Sequence, residues 1–209
     1  MKKLVLIAAV LVIAKSAFAQ SKVVEYASLG PVIGFGNNWV SNMPGTNKFN
    51  ASGFAGASLV YAKDAHWGYG AEALLSLEGY RVADAAGNIA AANPVYLRLP
   101  LHVYYFFGDY QSLVRPKVYL GPTFGLKLTE SDRMASSDVL MSQNAGTFRT
   151  LDAGLNAGAG VNIRLKKAVW LNTDLGYYQG LVDAVKDGAG KYNTNQNLSV
   201  SAGILFGIK

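Results

Sequence analysis

Hydrophobicity in this chain repeats every second residue, and the two faces it creates differ in a way that few environments satisfy. From Thr150 to Leu165 one face carries Leu151, Ala153, Leu155, Ala157, Ala159, Val161, Ile163 and Leu165, while the other carries Thr150, Asp152, Gly154, Asn156, Gly158, Gly160, Asn162 and Arg164. A period of two is the mark of a strand. The same split recurs from Val95 to Phe107, with Leu97, Leu99, Leu101 and Val103 against Tyr96, Arg98, His102 and Tyr104, and from Asn195 to Ile208, with Leu198, Val200, Ile204 and Phe206 against Asn197, Ser199, Ser201 and Gly203. A water-facing strand favours Thr and other residues with high strand preference, whereas glycine weakens an exposed strand and fits a crowded space. The polar faces therefore belong in a narrow interior, which leaves the aliphatic faces for hydrocarbon. A soluble lipocalin-like barrel also alternates, but it turns its apolar face inward, so the make-up of each face decides against it.

Period-two stretches number eight: Val24 to Gly36, Ala51 to Ala62, Trp67 to Arg81, Val95 to Phe107, Pro116 to Thr129, Thr150 to Leu165, Val169 to Leu181 and Asn195 to Ile208. Most reach the nine to eleven residues that a tilted strand needs to cross a bilayer. Long connections, Ser41-Asn50, Val82-Pro94, Glu130-Arg149 and Val182-Thr194, alternate with short ones at Lys63-His66, Gly108-Arg115 and Lys166-Ala168. Long loops outside and short turns inside are the usual asymmetry of outer-membrane barrels, and an even strand count returns both ends to the periplasm. The expected fold is all-β, an eight-stranded antiparallel up-and-down transmembrane β-barrel. No window from Gln20 onward sustains apolar residues at helical spacing.

Lys2 and Lys3, the apolar run Leu4 to Ala14 and the triplet Ala17-Phe18-Ala19 have the form of a cleaved secretory signal peptide. The run is too short to span a bilayer as a helix. The domains are then a signal peptide at 1–19 and an outer-membrane β-barrel at 20–209. Without Lys2, Lys3 and Lys15 the 19 basic residues become 16 against 13 acidic, a net charge of +3, with no clustered basic stripe to ask for nucleic acid. Cysteine is absent, so no disulfide framework is available.

Nine titratable residues fall on the predicted lumenal faces: Glu72, Glu78, Arg98, His102, Lys117, Lys127, Asp152, Arg164 and Asp174. Charges of both signs in a poorly hydrated space must pair, so they are expected to fill the barrel as ion pairs; the competing reading of the same residues is a gate or solute path. Eight strands leave room for little beyond side chains, which favours the filling. Neither His102 nor His66, in a short turn, belongs to a pair with metal-ligand spacing. No metal, cofactor or catalytic set is expected. Aromatics gather near strand ends, with Tyr61, Trp67, Tyr69, Tyr105, Phe107 and Phe206 toward one rim and Phe35, Trp39 and Tyr177 toward the other, as interfacial girdles do. In the third long connection Val139, Leu140 and Met141 interrupt a polar run, and form either a docking point for another protein or an apolar fold-back over the barrel mouth.

Over nearly the whole mature chain the sequence resembles the PorT-like outer-membrane β-barrel family of Bacteroidetes. The likeness is carried by Glu72-Ala73-Leu74-Leu75-Ser76 with Gly79-Tyr80, by Tyr96-Leu97-Arg98-Leu99-Pro100-Leu101, by Tyr119-Leu120-Gly121-Pro122, and by Asp152-Ala153-Gly154-Leu155 with Gly158-Ala159-Gly160. Where this chain has Arg98, an acidic residue is common in such proteins. The resemblance implies an outer-membrane location, and its namesake is linked to a gliding-associated protein secretion pathway. The expected role is non-enzymatic and structural or interactive in the cell envelope, with outer-membrane lipid and other envelope or secretion proteins as partners. A narrow solute pore, a lipid-modifying enzyme and a soluble ligand-binding barrel are the alternatives.

Overall fold

A computed structural model describes residues 27–109, 111–132, 148–185 and 192–208. The expected leader at 1–19 and the loop residues Val139, Leu140 and Met141 lie outside them. All regular structure among the described residues is strand. Eight long strands form the wall: β1 (Ala27–Val40), β3 (Ala51–Ala62), β4 (Trp67–Leu77), β6 (Ile89–Phe106), β7 (Val114–Asp132), β8 (Leu151–Lys166), β9 (Val169–Gly180) and β10 (Asn195–Ile208). Two short strands, β2 (Thr46–Asn47) and β5 (Tyr80–Ala83), extend it at the long-loop end. Each wall strand pairs antiparallel with the next, and β1 closes the ring on β10 from Ala27↔Ile208 to Val40↔Asn195.

Closure settles which face points where. Along β6, Tyr96, Arg98, Pro100, His102, Tyr104 and Phe106 are buried, while Leu99, Leu101 and Val103 are exposed. Val200 on β10 lies level with Phe35 of β1 and Leu175 of β9, and all three are exposed on the outer wall. Leu-, Val- and Phe-rich surface thus surrounds a lumen of Gly, Ser, Asn and charge, as the face argument requires. Glycines inside make room for large neighbours. A Cβ at Gly70 would strike the Tyr104 ring, at Gly158 and Gly176 that of Tyr119, and at Gly125 the Arg98 guanidinium.

The expected aromatic belts lie on the outer surface. At the short-turn rim Trp67 meets Tyr105 edge-on at 5.1 Å, Tyr105 meets Phe107 at 5.1 Å, and Tyr61, Tyr69 and Phe206 are exposed beside them. At the other rim Trp39 lies 6.3 Å from Tyr177.

The second long connection departs most from expectation. Instead of a loop over Val82-Pro94, the chain forms β5 and the first third of β6, paired from Tyr80↔Ala92 to Ala83↔Ile89, and only 84–88 turn. The expected third strand, Trp67 to Arg81, breaks at Glu78-Gly79. Gly79 has φ +132°, and a Cβ there would run into the carbonyl of Ala92, so only glycine lets the strand leave the wall and continue as a hairpin arm. Asp84 closes the hairpin tip by accepting from the amides of Ala86 (2.9 Å) and Asn88 (2.8 Å) and from the Asn88 side chain (2.9 Å). The Asn88 side chain, and then the backbone amides, hold its carboxyl below the ordinary 3.8. That contribution is complete above 3.8 and fades as pH falls through the lowered value. Elsewhere the strands outrun their expected ends: β1 reaches Val40 instead of Gly36, and β7 starts at Val114 and reaches Asp132.

Val200, about midway along β10 and 56% exposed, tests the outward face. Val200→Arg is expected to cost about 2 to 4 kcal/mol in folding into lipid vesicles, whereas the lumenal Ser199→Ala costs far less. Equal costs in urea titrations would contradict the face assignment.

Candidate functional site

The lumen is packed in tiers. At the long-loop mouth Val40, Tyr80, Val82, Ala92, Tyr96, Phe148, Ala184 and Val185 form a small apolar core that roofs the barrel, with the Tyr80 and Phe148 rings stacked at 5.9 Å. Phe148 is held by an isolated bridge to Val185 and donates its amide to Glu130 (3.1 Å). Lys127 belongs to this roof and not to the central lumen. Its Nζ pairs with Glu130 at 2.5 Å and donates to the Phe148 carbonyl.

Beneath the roof sits Arg98, only 4% exposed. Its guanidinium donates to both Glu78 oxygens (Nε 2.7 Å, Nη2 2.5 Å), to Asp152 Oδ2 (2.6 Å) and to the Tyr178 hydroxyl (3.1 Å). Its central carbon lies 4.7 Å from the Tyr96 ring centre and 4.6 Å from that of Tyr178. Asn195 donates to the same Asp152 oxygen at 3.0 Å. The fork geometry of Arg suits two carboxylates, which a lysine could not engage in this way. Glu78 reaches the pair because the chain breaks beside it at Gly79, and Asp152 because β8 begins one residue earlier.

A second ionic group lies nearer the short turns. Lys117, 2% exposed, places Nζ 2.9 Å from Asp174 Oδ1 and donates to Asn172 Oδ1 at 2.6 Å. Asn172 donates to Asp174 in turn (2.7 Å), and Glu72 accepts from Ser58 at 2.9 Å. The Lys117 ammonium also stands 4.7 Å from the Tyr104 ring centre. His102 Nδ1 and the Tyr104 hydroxyl share a hydrogen bond at 3.1 Å, and the imidazole packs 4.6 Å from the Tyr119 ring. No serine is hydrogen-bonded to His102 among the described residues.

Between the two ionic groups lies a cavity of about 60 Å³, walled by His102, Thr123, Asn156, Asp174, Ser199 and Ser201 among others. It has room for a few waters, at roughly 10 to 15 Å³ for each. Below the Lys117 group, Val60, Tyr104, Phe106 and Leu205, backed by Tyr119 and Trp170, close the lumen again. Arg164 lies at this mouth, where it donates to the Gln111 carbonyl and sits 5.7 Å from the Trp170 ring centre.

Of the nine lumenal candidates, Glu78, Arg98 and Asp152 come together in one group and Glu72, Lys117 and Asp174 gather around another, with His102 between them. Lys127 and Arg164 occupy opposite mouths. Sequence reasoning missed the Tyr96 and Tyr178 faces against Arg98 and the Asn172 link to Lys117. Both lie on faces whose alternation was visible, but which strand faces which across the lumen depends on ring closure. The roof was missed because Phe148, Ala184 and Val185 lie in connections without period-two pattern.

An antiparallel eight-stranded ring with aliphatic side chains outside, paired ions inside and aromatic belts at both rims is a transmembrane barrel of the bacterial outer-membrane kind. The sequence matches the outer membrane protein beta-barrel domain family over residues 18–186, and the chain belongs to that family. Among solved structures it is similar to Neisserial surface protein A (TM-score 0.55, 16% identity, 87% of this chain and 97% of that one). It is also similar to the outer membrane protein OprG from Pseudomonas aeruginosa (TM-score 0.53, 14% identity, 87% and 92%). At these identities the likeness concerns the fold. A search of curated proteins finds no match.

Removing the cation from the upper group strands two buried carboxylates. Arg98→Leu is expected to lower stability by about 3 to 5 kcal/mol in urea unfolding from lipid, and adding Glu78→Gln with Asp152→Asn should recover much of it. A triple variant as unstable as the single one would show that the pairing is not what the site depends on.

Proposed function

We propose that this protein is a PorT-like envelope barrel that carries no reaction and conducts no solute, and that it acts as a structural or docking element in the outer membrane, in support of protein assembly or secretion. The reading rests on one observation: the lumen is interrupted four times, by the apolar roof, the Arg98 group, the Lys117 group and the aromatic floor. A barrel filled in this way presents its ends, not its interior, to the rest of the envelope. Val139, Leu140 and Met141, the apolar run of the third long connection in the sequence, are the candidate contact for a protein partner. Among the described residues no reactive constellation supports an enzyme reading, since His102 shares its hydrogen bond with a tyrosine and is buried inside the barrel.

Planar-bilayer recording of the refolded protein tests this. The expected trace has no steps above baseline up to the voltage at which the membrane itself fails. Reproducible channel steps that change size in Arg98→Leu or Lys117→Met would instead establish the narrow-pore alternative.

A further inference from the structure

Charge in the middle of the barrel does not balance. The Arg98 group joins one guanidinium to two carboxylates, Glu78 and Asp152. The Lys117 group joins one ammonium to Asp174, and Glu72, which accepts from Ser58, shares a cavity wall with Asp174. Among the described residues of these two groups, four acids therefore share two cations, and each group is left one negative charge in excess. An excess of that kind is costly where water is scarce, because an ion buried without a counter-charge has no compensating attraction. The cavity of about 60 Å³ lies between the groups, and its wall sets Glu72, Glu78 and Asp174 against the single permanent cation of Arg98.

That wall also holds polar atoms which the protein itself does not satisfy. Thr123 Oγ1, His102 Nε2 and Asn156 Oδ1 are buried, have no hydrogen-bond partner within the protein, and belong to residues that border this cavity. Thr123 and His102 are only 2% and 6% exposed. Oxygens converge here as well. A Cβ on Gly176 would lie 2.6 Å from the Tyr119 hydroxyl, 3.7 Å from Asn156 Oδ1 and 3.8 Å from Ser199 Oγ, so oxygens from β7, β8 and β10 surround a point that a glycine on β9 leaves open. Hydroxyl, amide and carboxylate oxygens are the ligands that hard cations take. No three His, Cys, Asp or Glu side chains gather as a metal site among the described residues, so the set suits a singly charged ion better than a divalent one. The volume admits such an ion with a few waters, at roughly 10 to 15 Å³ for each water-sized species.

We propose that the central cavity binds one small monovalent cation, of sodium size, held by oxygens of Thr123, Asn156 and Tyr119 with Asp174 and Glu72 as its counter-charges. Water completes its shell. The ion offsets the charge excess between the two ionic groups and ties β4, β7, β8 and β9 together at one level of the bore. Its confinement rests on the closed-lumen reading, whereas its binding does not.

Urea unfolding of the refolded protein from phosphatidylcholine vesicles tests the site, with sodium replacing N-methylglucammonium at constant ionic strength. The larger cation cannot enter the cavity. A ligand that binds the folded state alone raises stability with the logarithm of its concentration, so the midpoint is expected to climb as sodium is added and then follow that law. Glu72→Gln keeps the shape and an acceptor for Ser58 but removes the charge, and should abolish the climb. Thr123→Val keeps the shape and removes one ligand, and should raise the half-saturating sodium about tenfold, on the scale of a lost contact with a charged group. In N-methylglucammonium alone both variants should be at least as stable as the parent protein, because each removes a buried group that lacks its partner. A parent midpoint indifferent to sodium, as a proton on Glu72 in place of the ion would give, overturns the proposal, and so does an undiminished sodium response in Glu72→Gln. Desalting the folded barrel into N-methylglucammonium separates the site from the seal. Sodium retained at about one ion per chain supports both, and a sodium-dependent midpoint without retention keeps the site and removes the closed lumen. With an indifferent midpoint the site falls even if bilayer recordings stay silent.

Discussion

In hydrocarbon a backbone amide or carbonyl has no water to turn to, and each one left without a partner costs several kcal/mol. That constraint governs this molecule before any side chain is considered. It requires the first and last strands to meet, and β1 and β10 do so from Ala27↔Ile208 to Val40↔Asn195, with a break in the ladder only at Gly30-Pro31. Closing eight strands fixes the bore at roughly the width of the side chains that fill it. Glycine on the inner face then follows from geometry: the Tyr104, Tyr119 and Arg98 side chains occupy space that a Cβ at Gly70, Gly158 or Gly125 would take.

A bore of that width also determines how charge can be stored. Isolated ions would be prohibitive, and even paired ones yield little net stability compared with apolar filling. What the Arg98 and Lys117 groups contribute is mutual exclusivity: the guanidinium fork engages Glu78, Asp152 and the Tyr178 hydroxyl together only when β4, β6, β8 and β9 are in the observed register. A two-residue slip would keep every lipid-facing residue facing lipid, so the hydrophobic pattern alone does not penalise it. It would, however, strand these ions. The buried cation at Arg98 is matched locally by the acids Glu78 and Asp152.

How much of this was legible follows the same division. β3 and β10 occupy Ala51–Ala62 and Asn195–Ile208, the spans read from alternation, because both are bounded by turn-forming residues and both bury one clean face. The segment Val82-Pro94 reads as a loop because Ala90, Ala91, Ala92, Asn93 and Pro94 have little strand preference; it is strand because Val82 and Ala92 pack into the roof over Val40 and Phe148. Tertiary burial overrides propensity there. Likewise, that Arg98, Asp152 and Glu78 face inward could be read from period two, but their meeting could not, since Arg98 and Asp152 lie 54 positions apart and on strands separated by β7.

Filling the lumen makes the two ends chemically independent, and they are built differently. At the long-loop end the apolar roof is bordered, among the described residues, by the Lys127–Glu130 ion pair. At the short-turn end the guanidinium groups of Arg115 and Arg164 lie against the Phe106 and Trp170 rings and donate to the Ala65 and Gln111 carbonyls, so charge there is packed against aromatic faces. With the Arg98 and Lys117 groups across the bore, what happens at the short-turn end is separated from the outer loops by two layers of ion pairs.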